Sequence, residues 1–123
     1  MDFDQTDYLK LGTYRKNGAR VDTPVWFAMD GDAFYAFSYN QAGKVKRLRN
    51  FSRVAIAPCT LTGRELGNWF ETQAFLLEST TDIAAAQAAL TKRYGWQYRG
   101  LSFMARLSGR YHQRSYIRIL RPH

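Results

Sequence analysis

Short stretches in which apolar and polar residues alternate follow one another along the chain, and turn residues separate them. This pattern predicts a meander of antiparallel strands. The predicted strands cover residues 8–15, 19–29, 33–39, 53–59, 69–78 and 111–120. Lys16-Asn17-Gly18 and Asp30-Gly31-Asp32 are expected to form hairpin turns, because these residue types tolerate the tight backbone.

Two segments have the pattern of helices instead. Residues 41–51 predict a short helix, with Val45 and Leu48 on one face and Lys44 and Arg47 on another. The alanine-rich residues 83–94 predict a longer helix that begins near Thr81 and Asp82 and ends at Gly95. Residues 96–109 are predicted to be partly helical.

The last strand alternates, with Ile117 and Ile119 expected to face inward and Arg114 and Arg118 outward. Six strands with two helices predict a mainly β fold. Because a flat six-stranded sheet would leave a face and two edges uncovered, a closed or nearly closed antiparallel barrel is favoured.

The composition is that of one folded domain. The chain has 123 residues, of which 46% are hydrophobic and 15% aromatic, so a single domain over residues 1–123 is expected. No apolar run has the length of a membrane span. The first six residues are polar and acidic, unlike a secretory signal, and there is one cysteine. These features predict a cytoplasmic protein.

The net charge of +8 is unevenly distributed. Residues 1–82 contain ten basic and ten acidic side chains, whereas the eight charged residues after Asp82 are all Lys or Arg. The basic last third is either a surface that attracts anions or an ordinary solvated face.

The segment from Phe37 to Arg47 is the most informative one for function. A strand ends near Ser38, a small loop follows, and a helix then begins with Lys44 and Arg47 on one face. Because helix N-termini attract anions, this segment is a candidate phosphate-binding site. An ordinary junction with a solvated basic face would have the same pattern.

The segment Thr23-Pro24-Val25-Trp26-Phe27-Ala28 places large planar side chains on both faces of one strand. Pro24 cannot donate to a central ladder and predicts a strand edge or strand start. One face of the strand could line a groove for a flat ring. Both aromatic side chains could equally belong to the core or to a dimer interface.

Conventional catalytic groups are scarce. The two histidines are His112 and His123, and no His or Cys spacing suits a metal. Cys59 is expected to be a small core residue. If the chain is an enzyme, a bound cofactor is expected to supply the chemistry.

Together these segments resemble the pyridoxamine 5′-phosphate oxidase-like family, and more narrowly its branch of small deazaflavin (F-420)-dependent oxidoreductases. The resemblance covers about half of the chain, residues 8–67. The matching motifs are Gly18, Pro24-Val25-Trp26-Phe27, Gly43-Lys44-Val45-Lys46-Arg47-Leu48 and Val54 through Cys59.

The resemblance implies an oxidoreductase on a split β-barrel, active as a homodimer with cofactor sites at the interface. The cofactor would be FMN or the deazaflavin F-420. By position, Lys44 and Arg47 would bind its phosphate, with help from Ser38 and Lys46. Further contacts would come from Val25, Trp26 and Phe27 at the ring, Phe37 at the ribityl chain, and Pro58 and Cys59 nearby.

The chain departs from true pyridoxamine-phosphate oxidases in two ways. It is shorter, and it lacks a recognisable version of their basic C-terminal substrate motif, so oxidation of vitamin B6 is not expected. The basic last third could instead attract the anionic tail of a deazaflavin, with Arg114 and Arg118 as the candidate contacts.

Two other functions are compatible with the sequence. The barrel could carry or sense a cofactor without catalysing a reaction. A basic barrel could also stack nucleic-acid bases on a strip of Tyr111, Arg114, Tyr116 and Arg118. Hydride transfer to or from a small conjugated substrate remains the leading hypothesis.

Overall fold

The structure is a computed structural model that describes residues 3, 6–39, 42–95, 100, 102, 104, 107 and 114–122. The elements described over their whole length are seven strands and two helices, in the order β1 (Tyr8–Tyr14), β2 (Arg20–Trp26), β3 (Ala28–Asp30), β4 (Ala33–Tyr39), α1 (Gly43–Asn50), β5 (Arg53–Cys59), β6 (Phe70–Leu76), α2 (Thr80–Tyr94) and β7 (Arg114–Leu120). The predicted mainly β class is confirmed.

All strands belong to one antiparallel sheet with the order β2-β1-β5-β6-β7-β4-β3. Strands β2 and β3 are therefore at opposite ends of the sheet, although only Phe27 separates them in sequence. One residue can join the two ends only if the sheet curls round on itself. Pro24 lies on the end strand β2, where its missing N–H leaves no gap in a central ladder.

The curled sheet encloses a core of apolar side chains. Helix α1 crosses one end of this barrel and buries Val45 and Leu48, which are the two residues that the sequence placed on its apolar face. The interior is otherwise filled by alternate residues of the strands, among them Leu9, Leu11, Val25, Phe27, Phe34, Val54, Ile56, Ala74, Ile117 and Ile119.

A second apolar layer lies outside the barrel, under α2. That helix packs on the outward face of β3, β4 and β7, where Ala28, Tyr35, Tyr116, Ala86 and Leu90 form its buried cluster. The outward face is therefore covered on this side of the sheet. Within the described residues, no helix has both the length and the apolar character needed to cross a membrane.

The prediction of six strands is wrong by one, because the second predicted strand divides at Phe27. The Tyr94 hydroxyl, at the end of α2, accepts a hydrogen bond from the Phe27 N–H at 3.1 Å. It donates to the Phe27 carbonyl oxygen at 2.5 Å, and the Asp7 carbonyl oxygen lies 2.9 Å away. With both of its backbone groups bonded to a side chain, Phe27 leaves the ladder and the strand bends there.

Helix α2 also begins earlier than predicted. Ser79 is its N-cap, and the Ser79 hydroxyl accepts a hydrogen bond from the Asp82 N–H at 3.1 Å. Helix α1 begins later than residue 41, since Ala42 is still extended; residues 40 and 41 lie outside the described part of the chain. Gly95 ends α2 as expected, with a positive φ of 56°.

Some predictions fall mainly outside the described residues. Of the stretch 96–109, positions 100, 102, 104 and 107 are described, and each is helical. The start of the last predicted strand, residues 111–113, is not described.

The contact between Tyr94 and Phe27 generates a stability prediction. Tyr94→Phe should lower the free energy of unfolding by about 1–3 kcal/mol, because the buried Phe27 N–H and carbonyl lose their partner. Urea unfolding followed by circular dichroism measures the change. Tyr8→Phe is the matched control, since the Tyr8 ring packs on Trp26 at 6.3 Å and this contact survives the loss of the hydroxyl.

The same contact predicts a pH dependence. Burial raises the pKa of Tyr94 to about 12, above the value of about 10 expected in the unfolded chain. The folded state keeps a proton that the unfolded chain loses, so this contribution is complete below the unfolded pKa and is lost as pH rises through the folded one. The stability difference between wild type and Tyr94→Phe should therefore shrink across that window. A difference that stays constant would contradict the prediction.

Candidate phosphate-binding site

Helix α1 begins without the groups that usually stabilise a helix N-terminus. Its N-cap is Ala42, with no side-chain hydrogen bond, and its first turn contains no acidic residue. Lys44 and Lys46 lie in that turn, where the helix dipole disfavours positive charge. The first N–H groups of a helix have no partner within it, so an anion would stabilise them together with the two lysines.

Arg47 is folded back toward the same N-terminus. Its Nε donates to the Thr13 hydroxyl of β1 at 2.6 Å, and Thr13 is fully buried. Its guanidinium lies against Gly43, where an added Cβ would stand 2.7 Å from Nη1. Gly43 therefore leaves the space in which the guanidinium sits beside the first turn of α1.

Burial and neighbouring cations disfavour the charged forms of both Lys44 and Arg47. Desolvation lowers the pKa of Lys44, and repulsion by Arg47 lowers it further. Desolvation also lowers the pKa of Arg47, with added repulsion from Arg15. Among the described residues, no carboxylate is within ion-pair distance of Lys44 or Arg47. An anion between them would relieve this repulsion.

The other predicted phosphate contacts lie near this helix but differ in exposure. Lys46 is exposed on α1, whereas Ser38 is buried near the end of β4. Phe37 is half-buried, with its ring 6.1 Å from that of Tyr116. Their roles remain predictions.

The predicted ring contacts do not meet the phosphate contacts on one chain. Val25 and Phe27 are in the barrel core, and Trp26 stacks on the Tyr94 ring at 5.0 Å. The backbone N–H and carbonyl of Phe27 are already bonded to Tyr94. A ring edge would therefore have to compete with Tyr94 for the backbone groups of Phe27.

Register shows how far apart the two groups are. Trp26 pairs with Tyr8 of β1, whereas Arg47 bonds to Thr13, five residues further along the same strand. At the usual rise per residue, this spacing is about 17 Å. A ligand that contacts both groups must be long, or the two groups must come from different chains.

Pro58 and Cys59 lie at the end of the barrel away from α1. Both are fully buried, and Cys59 also pairs with Tyr8. Burial raises the pKa of the Cys59 thiol, which disfavours the thiolate. The expectation that Cys59 is a small core residue is confirmed, and a cofactor contact by Pro58 or Cys59 remains a prediction.

The basic last strand is not the open charged face that the sequence suggested. Ile117 and Ile119 do face the core, but Arg114 on the other face is only 8% exposed. Its guanidinium lies 4.4 Å above the Phe37 ring and donates to the Ser102 hydroxyl at 3.0 Å. Arg114 lies on the outward face, as predicted, but other parts of the chain cover this face, so Arg114 is not part of an open charged surface.

The strip proposed for stacking nucleic-acid bases is covered for the same reason. Tyr116 is 5% exposed and accepts a hydrogen bond from the Gln87 side chain of α2 at 3.2 Å. Tyr111 lies outside the described residues. The described part of the strip therefore offers no open stacking surface.

Sequence reasoning missed Thr13 and Arg15, which both act on Arg47. Neither belongs to a recognisable motif, and both lie more than 30 residues before Arg47. The end of β1 comes beside α1 because β1 pairs with β5, the strand that follows this helix. Within the part of the chain that is described, no cluster of His, Cys, Asp or Glu could hold a metal ion.

A curled antiparallel sheet with a helix across one end defines a small β-barrel domain. No protein-family model and no curated protein matches the sequence. Solved structures do match: HutZ, the heme storage protein from Vibrio cholerae, shares 15% identity at a TM-score of 0.73, over 98% of this chain and 84% of its own.

Two other solved structures are similar. A protein assigned as a pyridoxamine 5′-phosphate oxidase from Listeria innocua has a TM-score of 0.65 and 14% identity, over 96% of this chain and 86% of its own. An F420 reductase has a TM-score of 0.54 and 18% identity, over 98% and 90%. These likenesses establish the fold, which is a split β-barrel.

The open N-terminus of α1 generates a prediction about stability. Ala42→Asp should raise the free energy of unfolding by about 0.5–2 kcal/mol, because the carboxylate can cap the free N–H groups. Thermal and urea unfolding measure the change. Ala42→Asn caps without adding charge and separates capping from charge neutralisation. A decrease in stability for both variants would show that these N–H groups already have partners.

Proposed function

We propose that the chain binds a phosphate-bearing flavin-type cofactor, either FMN or the deazaflavin F-420, and acts as an oxidoreductase. The observation that carries the proposal is the N-terminus of α1, where uncapped N–H groups, Lys44 and Arg47 lie together and no carboxylate of the described residues pairs with either cation. Such a site suits a phosphate anion. The split-barrel fold, which an F420 reductase also has, supports this reading.

Each residue of the site has a distinct part. Arg47 is aimed by its bond to Thr13, so its outer nitrogens remain available for a phosphate oxygen. Lys44 supplies a second, half-buried charge that water screens less than an exposed one. Gly43 keeps the backbone of the first turn close to the guanidinium.

When bound, the cofactor would supply hydride transfer to or from a small conjugated substrate. The chain would contribute binding, orientation and exclusion of water. The site is proposed for a homodimer, in which ring contacts can come from the second copy. The phosphate contacts of one copy could then lie beside the ring contacts of the other, although the two groups are about 17 Å apart on one chain, estimated from the strand rise.

Titration of the purified protein tests the proposal. FMN and F-420 are followed by fluorescence quenching, and hemin, suggested by the heme storage protein of the same fold, by absorbance. FMN or F-420 should bind. Turnover of the reduced cofactor with quinone or enone acceptors would separate an enzyme from a carrier.

The decisive variant is Lys44→Ala. It should weaken binding of the phosphate-bearing cofactor by about 1.5–3 kcal/mol, because a charged hydrogen bond is lost. It should not lower the free energy of unfolding of the protein without ligand, since the positive charge of Lys44 interacts unfavourably with the positive end of the helix dipole. Arg64→Ala, at an exposed loop arginine, is the charge-matched control and should leave affinity unchanged.

Two results would overturn the proposal. One is equal affinity of wild type and Lys44→Ala for both FMN and F-420. The other is binding of hemin alone, with an affinity that Lys44→Ala does not change.

A further inference from the structure

A second concave surface lies at the opposite end of α1 from the phosphate site. It is a cleft of about 260 Å³ between the β1–β2 hairpin turn and the junction of α1 with β5. Its lining residues are Tyr14, Arg15, Lys16, Gly18, Phe51 and Arg53. Arg15 repels Arg47 of the phosphate site, but the cleft contains none of the proposed cofactor contacts.

Two aromatic rings form its walls, and the ring of Tyr14 is held in place by neighbouring side chains. The Arg53 guanidinium lies 4.6 Å above the Tyr14 ring, and the Tyr14 hydroxyl donates to Glu71 at 3.4 Å. Phe51 follows the last residue of α1, and its N–H donates to the Arg47 carbonyl at 3.1 Å. Phe51 is 41% exposed although it is a large apolar side chain.

The floor of the cleft is fixed by the hairpin turn. The Gly18 N–H donates to the Arg15 carbonyl at 2.9 Å, and the Arg15 N–H donates to the Ala19 carbonyl at 2.8 Å. Gly18 has a φ of 90°, which other residues rarely adopt. The backbone on this side of the cleft is therefore fixed by the hydrogen bonds of the turn.

Charge in the cleft is positive and only partly neutralised. Glu71 bonds to Arg53 at 2.6 Å, which raises the pKa of Arg53 and lowers that of Glu71. Arg15 and Lys16 have no carboxylate within ion-pair distance among the described residues. The cleft therefore combines flat apolar walls with two available cations.

We propose that this cleft binds a small planar aromatic acid. Its ring would lie against Tyr14 and Phe51, and its carboxylate would face Arg15 and Lys16. Pockets for drug-sized ligands enclose about 300–1,000 Å³, so the smaller cleft suits one or two fused rings. Rings favour offset or edge contacts with aromatic walls, and guanidinium groups favour carboxylates.

The first test compares three probes by isothermal titration calorimetry and NMR. They are 2-naphthoate, which has ring and charge, 2-naphthol, which is neutral near pH 7, and cyclohexanecarboxylate, which has charge without an aromatic ring. We expect 2-naphthoate to bind at least about tenfold more tightly than either, as the ring and charge contributions combine. Equal binding of all three would overturn the proposal.

Variants locate the site. Arg15→Gln and Phe51→Leu should each weaken 2-naphthoate binding by about tenfold, and both residues are exposed enough for the fold to tolerate the change. Arg64→Gln removes one charge from the loop at the other end of the barrel and should have no effect. An equal loss for Arg64→Gln and Arg15→Gln would indicate attraction by net charge only and would overturn the site.

Two further outcomes separate this proposal from its alternatives. Lys44→Ala should leave 2-naphthoate binding unchanged, so failure of the cofactor proposal and failure of this one are distinguishable. Binding of an oligothymidylate that Phe51→Leu weakens, with no binding of 2-naphthoate, would overturn the aromatic-acid proposal in favour of a single-stranded nucleic acid.

Discussion

The barrel depends on one hydroxyl group. Strands β2 and β3 are the two ends of the sheet, and Phe27 is the single residue between them. The Tyr94 hydroxyl satisfies both backbone groups of Phe27 at the point where no strand partner can do so. Because Arg93 also bonds to Asp7 at 2.9 Å, the end of α2 ties the barrel's closure to the start of β1. Helix α2 therefore stabilises the place where the two ends of the sheet are joined.

Electrostatics at α1 run against the usual rules for helix stability. Lysines occupy its first turn, its N-cap is an alanine, and Arg47 turns back toward the same end. Violations of local preference tend to occur at functional sites, where the cost is offset elsewhere. The buried side chains Val45 and Leu48 provide that offset here, since they anchor the helix in the barrel core.

Local sequence pattern was sufficient for most elements and insufficient for contacts between distant ones. Alternation placed each strand within a few residues, because burial on one face of a sheet imposes a period of two. The break at Phe27 could not be predicted, since its cause is a side chain 67 residues away. The bond between Arg47 and Thr13 and the burial of Arg114 under its contact with Phe37 likewise depend on residues that are distant in the sequence. The basic face of α1 was visible in the sequence, but its orientation was not.

Helix α1 has eight residues, too few to be stable by itself in water. Its folding must therefore be coupled to packing against the barrel. The same helix would hold a ligand on one face while it seals the hydrophobic interior with the other. Binding at the outer face would then be coupled to packing in the core. A bound anion would lower the free energy of the folded state, and loss of core packing would release the anion. The helix that closes one end of the barrel is also the helix that would bind the ligand, so any ligand there would stabilise the whole domain against unfolding.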